Sequence, residues 1–147
     1  SRFPNEVVDF RTAHLAPYGG AGWYLAWNSE ELHEPLLRNV RLFVNKGHLL
    51  VVGAVQAAQP TPEQSAIRSA IYFDVGRQLI RGALENDEFT EAPESFADGS
   101  TGRAVLRMMK ALFTTEKPKQ LRSTMRTRPE YFDSSLQASL RVVADGQ

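Results

Sequence analysis

Residues 35–56 read PLLRNVRLFVNKGHLLVVGAVQ, and the way this stretch divides decides the fold. Leu36, Leu37, Val40, Phe43 and Val44 fall on one helical face, so the spacing predicts a helix over 35–46. Asn45-Lys46-Gly47 would then be its stop, with glycine free to turn left-handed and Lys46 at the negative end of the helix dipole. The competing reading makes Val40, Leu42 and Val44 a strand, leaves Phe43 outside, and turns Asn45-Lys46-Gly47 into a hairpin. Pattern alone leaves 36–46 open between helix and strand. Residues 48–56 are expected as a strand, apolar on both faces from Leu49 to Val52, which suits a central, doubly covered position.

Upstream, residues 6–10 and 22–27 are rich in β-branched and aromatic side chains and are expected to complete a small sheet. Between them Pro17-Tyr18-Gly19-Gly20-Ala21-Gly22 is turn material. Asn28 with Glu31 has the spacing of a capping box and predicts a helix start that Pro35 interrupts.

Downstream, Thr61-Pro62-Glu63-Gln64 opens the clearest element. Thr61 caps, Pro62 takes the first helical position and Gln64 completes a capping box. Ile67, Ile71, Val75 and Leu79 repeat every four residues, so a helix over 62–85 packs this face inward. Asp74 with Arg77, and Arg81 with Glu85, have surface-pair spacing. Tyr72 and Phe73 lie partly off the stripe and suggest burial against another helix or a second subunit. Residues 85–98 have loop composition. Val105, Leu106, Met109, Leu112 and Phe113 define a helix over 102–115, Lys117-Pro118-Lys119 breaks the pattern, and Thr127-Arg128-Pro129-Glu130 opens a last helix over 129–142. The expected fold is α+β, a mostly helical single domain (1–147) with a small sheet packed against three main helices.

At 147 residues and 16.4 kDa one core is expected, and 42% apolar with 23% charged residues excludes collagenous, coiled-coil and wholly disordered classes. No cysteine is present, which closes disulfide, Cys-zinc, iron–sulfur and thiol-nucleophile chemistry. The longest apolar run is too short to span a bilayer, so no membrane partner is expected. Ser1-Arg2-Phe3-Pro4 has no signal-peptide pattern, which favours the cytoplasm, and the absent initiator Met leaves room for a fragment of a longer chain.

Seventeen bases balance 17 acids overall, but not locally. Residues 101–128 hold Arg103, Arg107, Lys110, Lys117, Lys119, Arg122, Arg126 and Arg128 against Glu116 alone, a net of +7. Arg103, Arg107 and Lys110 form one helical stripe, and Ser123, Thr124 and Thr127 add hydroxyl donors. The arrangement predicts a non-enzymatic binding or assembly protein whose basic helix-loop segment, 103–128, engages an anionic partner, either nucleic acid or an acidic protein surface. The bland alternative is neutralisation by the six acids that stand without a base in 85–98.

Two other classes stand beside it. A small hydrolase or transferase would have its pocket at the glycine loop 19–22 with Trp23 and a histidine. That loop lacks the flanking pattern of a dinucleotide or P-loop motif, His14, His33 and His48 have no metal-ligand spacing, and no G-x-S-x-G is present. His33-Glu34, or Asp9, His14 and Ser29 meeting in space, are the remaining acid–base candidates. No cofactor or metal is expected, and catalytic residues are not identified. An oligomeric structural subunit would instead bury Tyr72, Phe73 or Trp27 across a symmetric contact. The aromatic cluster Tyr18, Trp23, Tyr24 and Trp27 is expected to anchor the core.

Overall fold

The computed structural model describes residues 4–12 and 14–145, with side chains as far as Leu140. The fold is mostly helical α+β with one small mixed sheet. Two compact units can be delimited, residues up to 27 with 40–71, and 28–39 with 72 onward.

The first unit is built on the sheet. β1 (Asn5–Val8) lies parallel to β3 (Arg41–Asn45), and β2 (Trp23–Ala26) lies antiparallel to it, in the order β1-β3-β2. Alternation sorts the faces, with Leu25, Leu42 and Val44 buried on one side. On the other, Tyr24 pairs with Phe43 in register, their ring centroids 6.4 Å apart, and Tyr18 stacks on Tyr24 at 4.1 Å.

The expected helix over 35–46 is corrected. Only α1 (Leu36–Asn39) is helical, and the strand β3 follows at once. Asn39 ends the helix because its side chain is fully engaged, accepting from Asn28 N at 2.9 Å and donating to the Asn28 and Glu31 carbonyls at 3.0 Å. Phe43, whose outward placement counted against a strand, is instead half-buried against Tyr24.

The expected strand over 48–56 is also corrected, because it is helix α2 (Leu49–Gln56). Both edges of β3 are already occupied, so no central position remains. Asn45 directs the turn that follows. Its side chain accepts from Gly47 N at 3.0 Å, its carbonyl accepts from His48 N at 2.9 Å, and the His48 carbonyl then takes the Val51 and Val52 N–H groups at 3.1 Å. The unbroken apolar run over 49–55 has no period that separates strand from helix. Asn45 Nδ2 also donates to the Gly19 and Ala21 carbonyls at 3.0 and 2.8 Å, which fixes the glycine loop.

The long helix α3 (Pro62–Leu84) begins as expected, with Gln64 N donating to Thr61 Oγ1 and Thr61 N to Gln64 Oε1. Arg68 donates to the carbonyls of Ala54 and Ala57, tying α2 to its start. Asp74 pairs with Arg77 at 3.0 Å, but the expected Arg81–Glu85 pair does not form. Arg81 reaches Asp133 at 2.9 Å and Glu85 reaches Arg126 at 3.0 Å, because partners from other helices lie closer than the next turn.

In the second unit the 28–31 segment is a turn and not a helix start, with Asn28 Oδ1 accepting from Glu30 N at 2.9 Å. The segment expected as loop contains α4 (Asp87–Glu91), capped by Asn86, whose Oδ1 accepts from Phe89 N. Phe89 and Phe96 are completely buried and anchor it. α5 (Thr101–Leu112) is capped by Ser100 after Gly99, whose φ of 86° only glycine adopts readily. Lys117-Pro118-Lys119 is not a break but the start of α6 (Pro118–Thr127), with Pro118 at the first helical position. α7 (Pro129–Asp145) follows and buries Phe132 and Leu136, as its pattern predicts. No helix among the described residues is long and apolar enough to cross a membrane.

Candidate functional site

The basic segment 103–128 is two helices, and the acids of 85–98 run alongside both. Asp98 holds Arg103 at 3.6 Å and Arg107 at 3.0 Å, and Glu94 holds Lys110 at 2.8 Å. Glu91 holds Lys119 at 3.6 Å, Asp87 holds Arg122 at 2.9 Å, and Glu85 holds Arg126 at 3.0 Å. Acids in descending order meet bases in ascending order, an antiparallel charge ladder. Arg103 also donates to the Glu94 carbonyl, while its Nε is buried without a partner among the described residues. Glu88, the sixth acid, pairs with His33 at 2.9 Å. The hydrogen bond from Lys110 holds the Glu94 carboxyl below its ordinary range. Most of these pairs are half or more exposed, a setting in which solvent screens the attraction and each contributes little.

Lys117 and Arg128 make no carboxylate pair among the described residues. The guanidinium of Arg128 lies 4.5 Å from the Tyr131 ring centroid. The division follows from position in and around α6. Lys119, Arg122 and Arg126 recur at three and four residues and meet the acids of 85–91. Lys117 and Arg128 lie just outside the helix, as its N-cap and C-cap residues with non-helical dihedrals, and so stand at its two ends.

Through Leu121 and Thr124, α6 borders a cleft of about 310 Å³ between α5, α6 and α7. Leu112, Phe113, Leu121 and Phe132 supply its apolar surface, and the Phe113 and Phe132 rings lie parallel with centroids 6.1 Å apart. Hydroxyls of Thr114, Thr115, Thr124, Tyr131, Ser135 and Ser139 line the remainder, with Glu116 as the single charged residue. Sequence reading missed this cleft. Its trace is the recurrence of Tyr131, Ser135 and Ser139 every four residues beside the buried Phe132 and Leu136.

The other sequence candidates are not assembled into a site. Asp9 is pulled down to about 2 by its hydrogen bonds with Arg11. His14 and His48 are exposed, and exposed His33 is engaged by Glu88. In the glycine loop a Cβ on Gly22 would lie 3.0 Å from Val51 and 3.7 Å from His48, so its backbone packs on α2. Trp23 shares the Leu25 face of the sheet, Trp27 is half-buried, and the Tyr24 phenol is pushed up by its hydrogen bond with Tyr18. No group of three His, Asp or Glu among the described residues could hold a metal. Tyr72 is 36% exposed, Leu49 79% and Leu50 75%, which leaves apolar surface in each unit.

Comparison with known proteins returns no matching family model, no matching curated protein and no matching solved structure.

Proposed function

We propose that the protein is a non-enzymatic binding module that meets an anionic partner, nucleic acid or an acidic protein surface, through Lys117 and Arg128. The observation that supports this is the division of the basic segment. Six of its eight cations already have carboxylates, and these two, at the two ends of α6, have none among the described residues. Arg103, Arg107 and Lys110, the leading candidates from sequence, face an external polyanion only in competition with Asp98 and Glu94. Over 85–128 eight bases stand against seven acids, so long-range attraction is weak and contact depends on position.

The test is anisotropy of a labelled single-stranded oligonucleotide titrated over a range of salt. Two phosphate contacts predict a log–log slope of about −1.4, whereas all eight cations acting together predict about −5.6. Lys117→Gln with Arg128→Gln should abolish the response, and Arg103→Ala, Arg107→Ala and Lys110→Ala together should leave it largely intact. An unchanged affinity in the Lys117/Arg128 variant overturns the assignment.

A further inference from the structure

The geometry points to the cleft between α5, α6 and α7 as a binding site for a phosphorylated polyol of monosaccharide size, such as a sugar phosphate. This deepens, and rests on, the reading of Arg128 as an anion-contacting residue. About 310 Å³ lies at the lower end of the range for small-molecule sites, so the occupant is a single-ring ligand and not an extended chain.

The lining selects its chemistry. Helical serines and threonines commonly return their hydroxyl proton to a carbonyl one turn back, as Thr124 does to Gln120 at 3.2 Å. Ser135 and Ser139, one turn apart on α7, make no such bond among the described residues, and neither do the hydroxyls of Thr114 and Tyr131. Four uncommitted hydroxyls, each able to donate and accept, therefore border one concavity. Glu116 adds an acceptor. Thr115 Oγ1 occupies its Oε2 at 3.2 Å, which leaves Oε1 for a ligand hydroxyl. A ligand rich in hydroxyls satisfies this set. Half-buried Leu112 adds apolar surface, while Phe113, Leu121 and Phe132 are themselves buried.

The phosphate is assigned to one end. Lys117 and Arg128 are eleven residues apart, about 16 Å along the helix, so a single phosphate reaches only one of them. Arg128 lies over Tyr131, itself a cleft residue, and its planar fork matches phosphate oxygens. Lys117 stands beside Glu116 at the other end, where a second anion would meet a carboxylate.

The proposal is tested with the intact chain by calorimetry and amide chemical shifts, using glucose 6-phosphate, glucose and inorganic phosphate as separate probes. Glucose 6-phosphate should bind tightest and shift residues of all three helices around the cleft. Arg128→Gln should weaken it about tenfold, Lys119→Gln, whose cation already faces Glu91, should not, and Ser135→Leu should abolish it by filling the cleft. If Ser135→Leu does not fold, Ser135→Ala and Ser139→Ala should each weaken binding several-fold with unchanged helicity. Glucose 6-phosphate binding no tighter than inorganic phosphate, with shifts confined to Lys117 and Arg128, overturns the cleft and leaves the anion reading standing. So does silence toward all three probes while oligonucleotide binding still depends on Arg128. Loss of both responses overturns both.

Discussion

Replacing Gly102 by alanine puts one methyl group where the second unit has no space. A Cβ at this position would stand 2.5, 2.6 and 2.9 Å from three atoms of the Phe96 ring. That ring cannot retreat, because it is completely buried, with His33 at 4.5 Å and Phe89 at 6.1 Å between centroids. The backbone cannot retreat either, since Thr101 N and Gly102 N donate to the Glu34 and Leu32 carbonyls at 2.8 Å. Overpacking of this kind costs about 1–3 kcal/mol, and the helix-propensity gain from Gly to Ala recovers at most about 1 kcal/mol. A net loss of about 1–2 kcal/mol is expected, which lowers the urea midpoint by about 0.5–1 M. Circular dichroism at helical wavelengths is the assay, because both tryptophans, Trp23 and Trp27, belong to the first unit. Gly53→Ala in α2 is the control. Its new Cβ meets nothing closer than Gln64 Nε2 at 3.7 Å, so it should stabilise by about 0.5–1 kcal/mol. A Gly102→Ala protein as stable as the parent would refute the packing of Phe96 against α5. It would also refute the anchoring of Glu94 and Asp98 beside their bases.

Asn45→Ala should lose about 2–3 kcal/mol, because two carbonyls of the glycine loop and Gly47 N lose their partner at a site only 7% exposed. The melting temperature and amide exchange at residues 19–22 would report it. The Glu94 carboxyl should titrate below the ordinary 4.5, and Lys110→Ala should return it toward that value. Because the folded pKa is depressed, the pair contributes fully above pH 4.5 and is lost as pH falls through the folded value, as side-chain carbon shifts would show.

The helices with explicit start signals were legible in the sequence. Thr61-Pro62-Glu63-Gln64 encodes its cap within four residues, Pro129 marks the start of α7 although Thr127 ends α6 and donates back to the Ser123 carbonyl, and Ile71, Val75 and Leu79 give α3 its period. What the sequence hid depends on partners distant in the chain. Whether 48–56 forms strand or helix is decided by β1 and β2 filling both edges of β3. Whether Asn39 ends a helix is decided by carbonyls of a turn eight to eleven residues earlier. The cations were legible as a cluster, but neither their pairing nor which of them it leaves out can be read without knowing that α4 lies alongside. The cleft hydroxyls left only a faint spacing, since serine and threonine are commonplace on helix surfaces.

The nesting of the ladder bears on the order in which the second unit assembles. Asp98 and Arg103 bracket the Gly99-Ser100 turn, and each later rung encloses the previous one, out to Glu85 with Arg126 at a separation of 41 residues. Closing a large loop after a smaller one inside it adds little entropy, since the penalty grows only with the logarithm of length. Nucleation at the turn, followed by outward zipping, is therefore the least costly route. Substitutions at Gly99 or Ser100 should slow refolding in stopped-flow experiments, whereas removal of Arg126 should chiefly hasten unfolding.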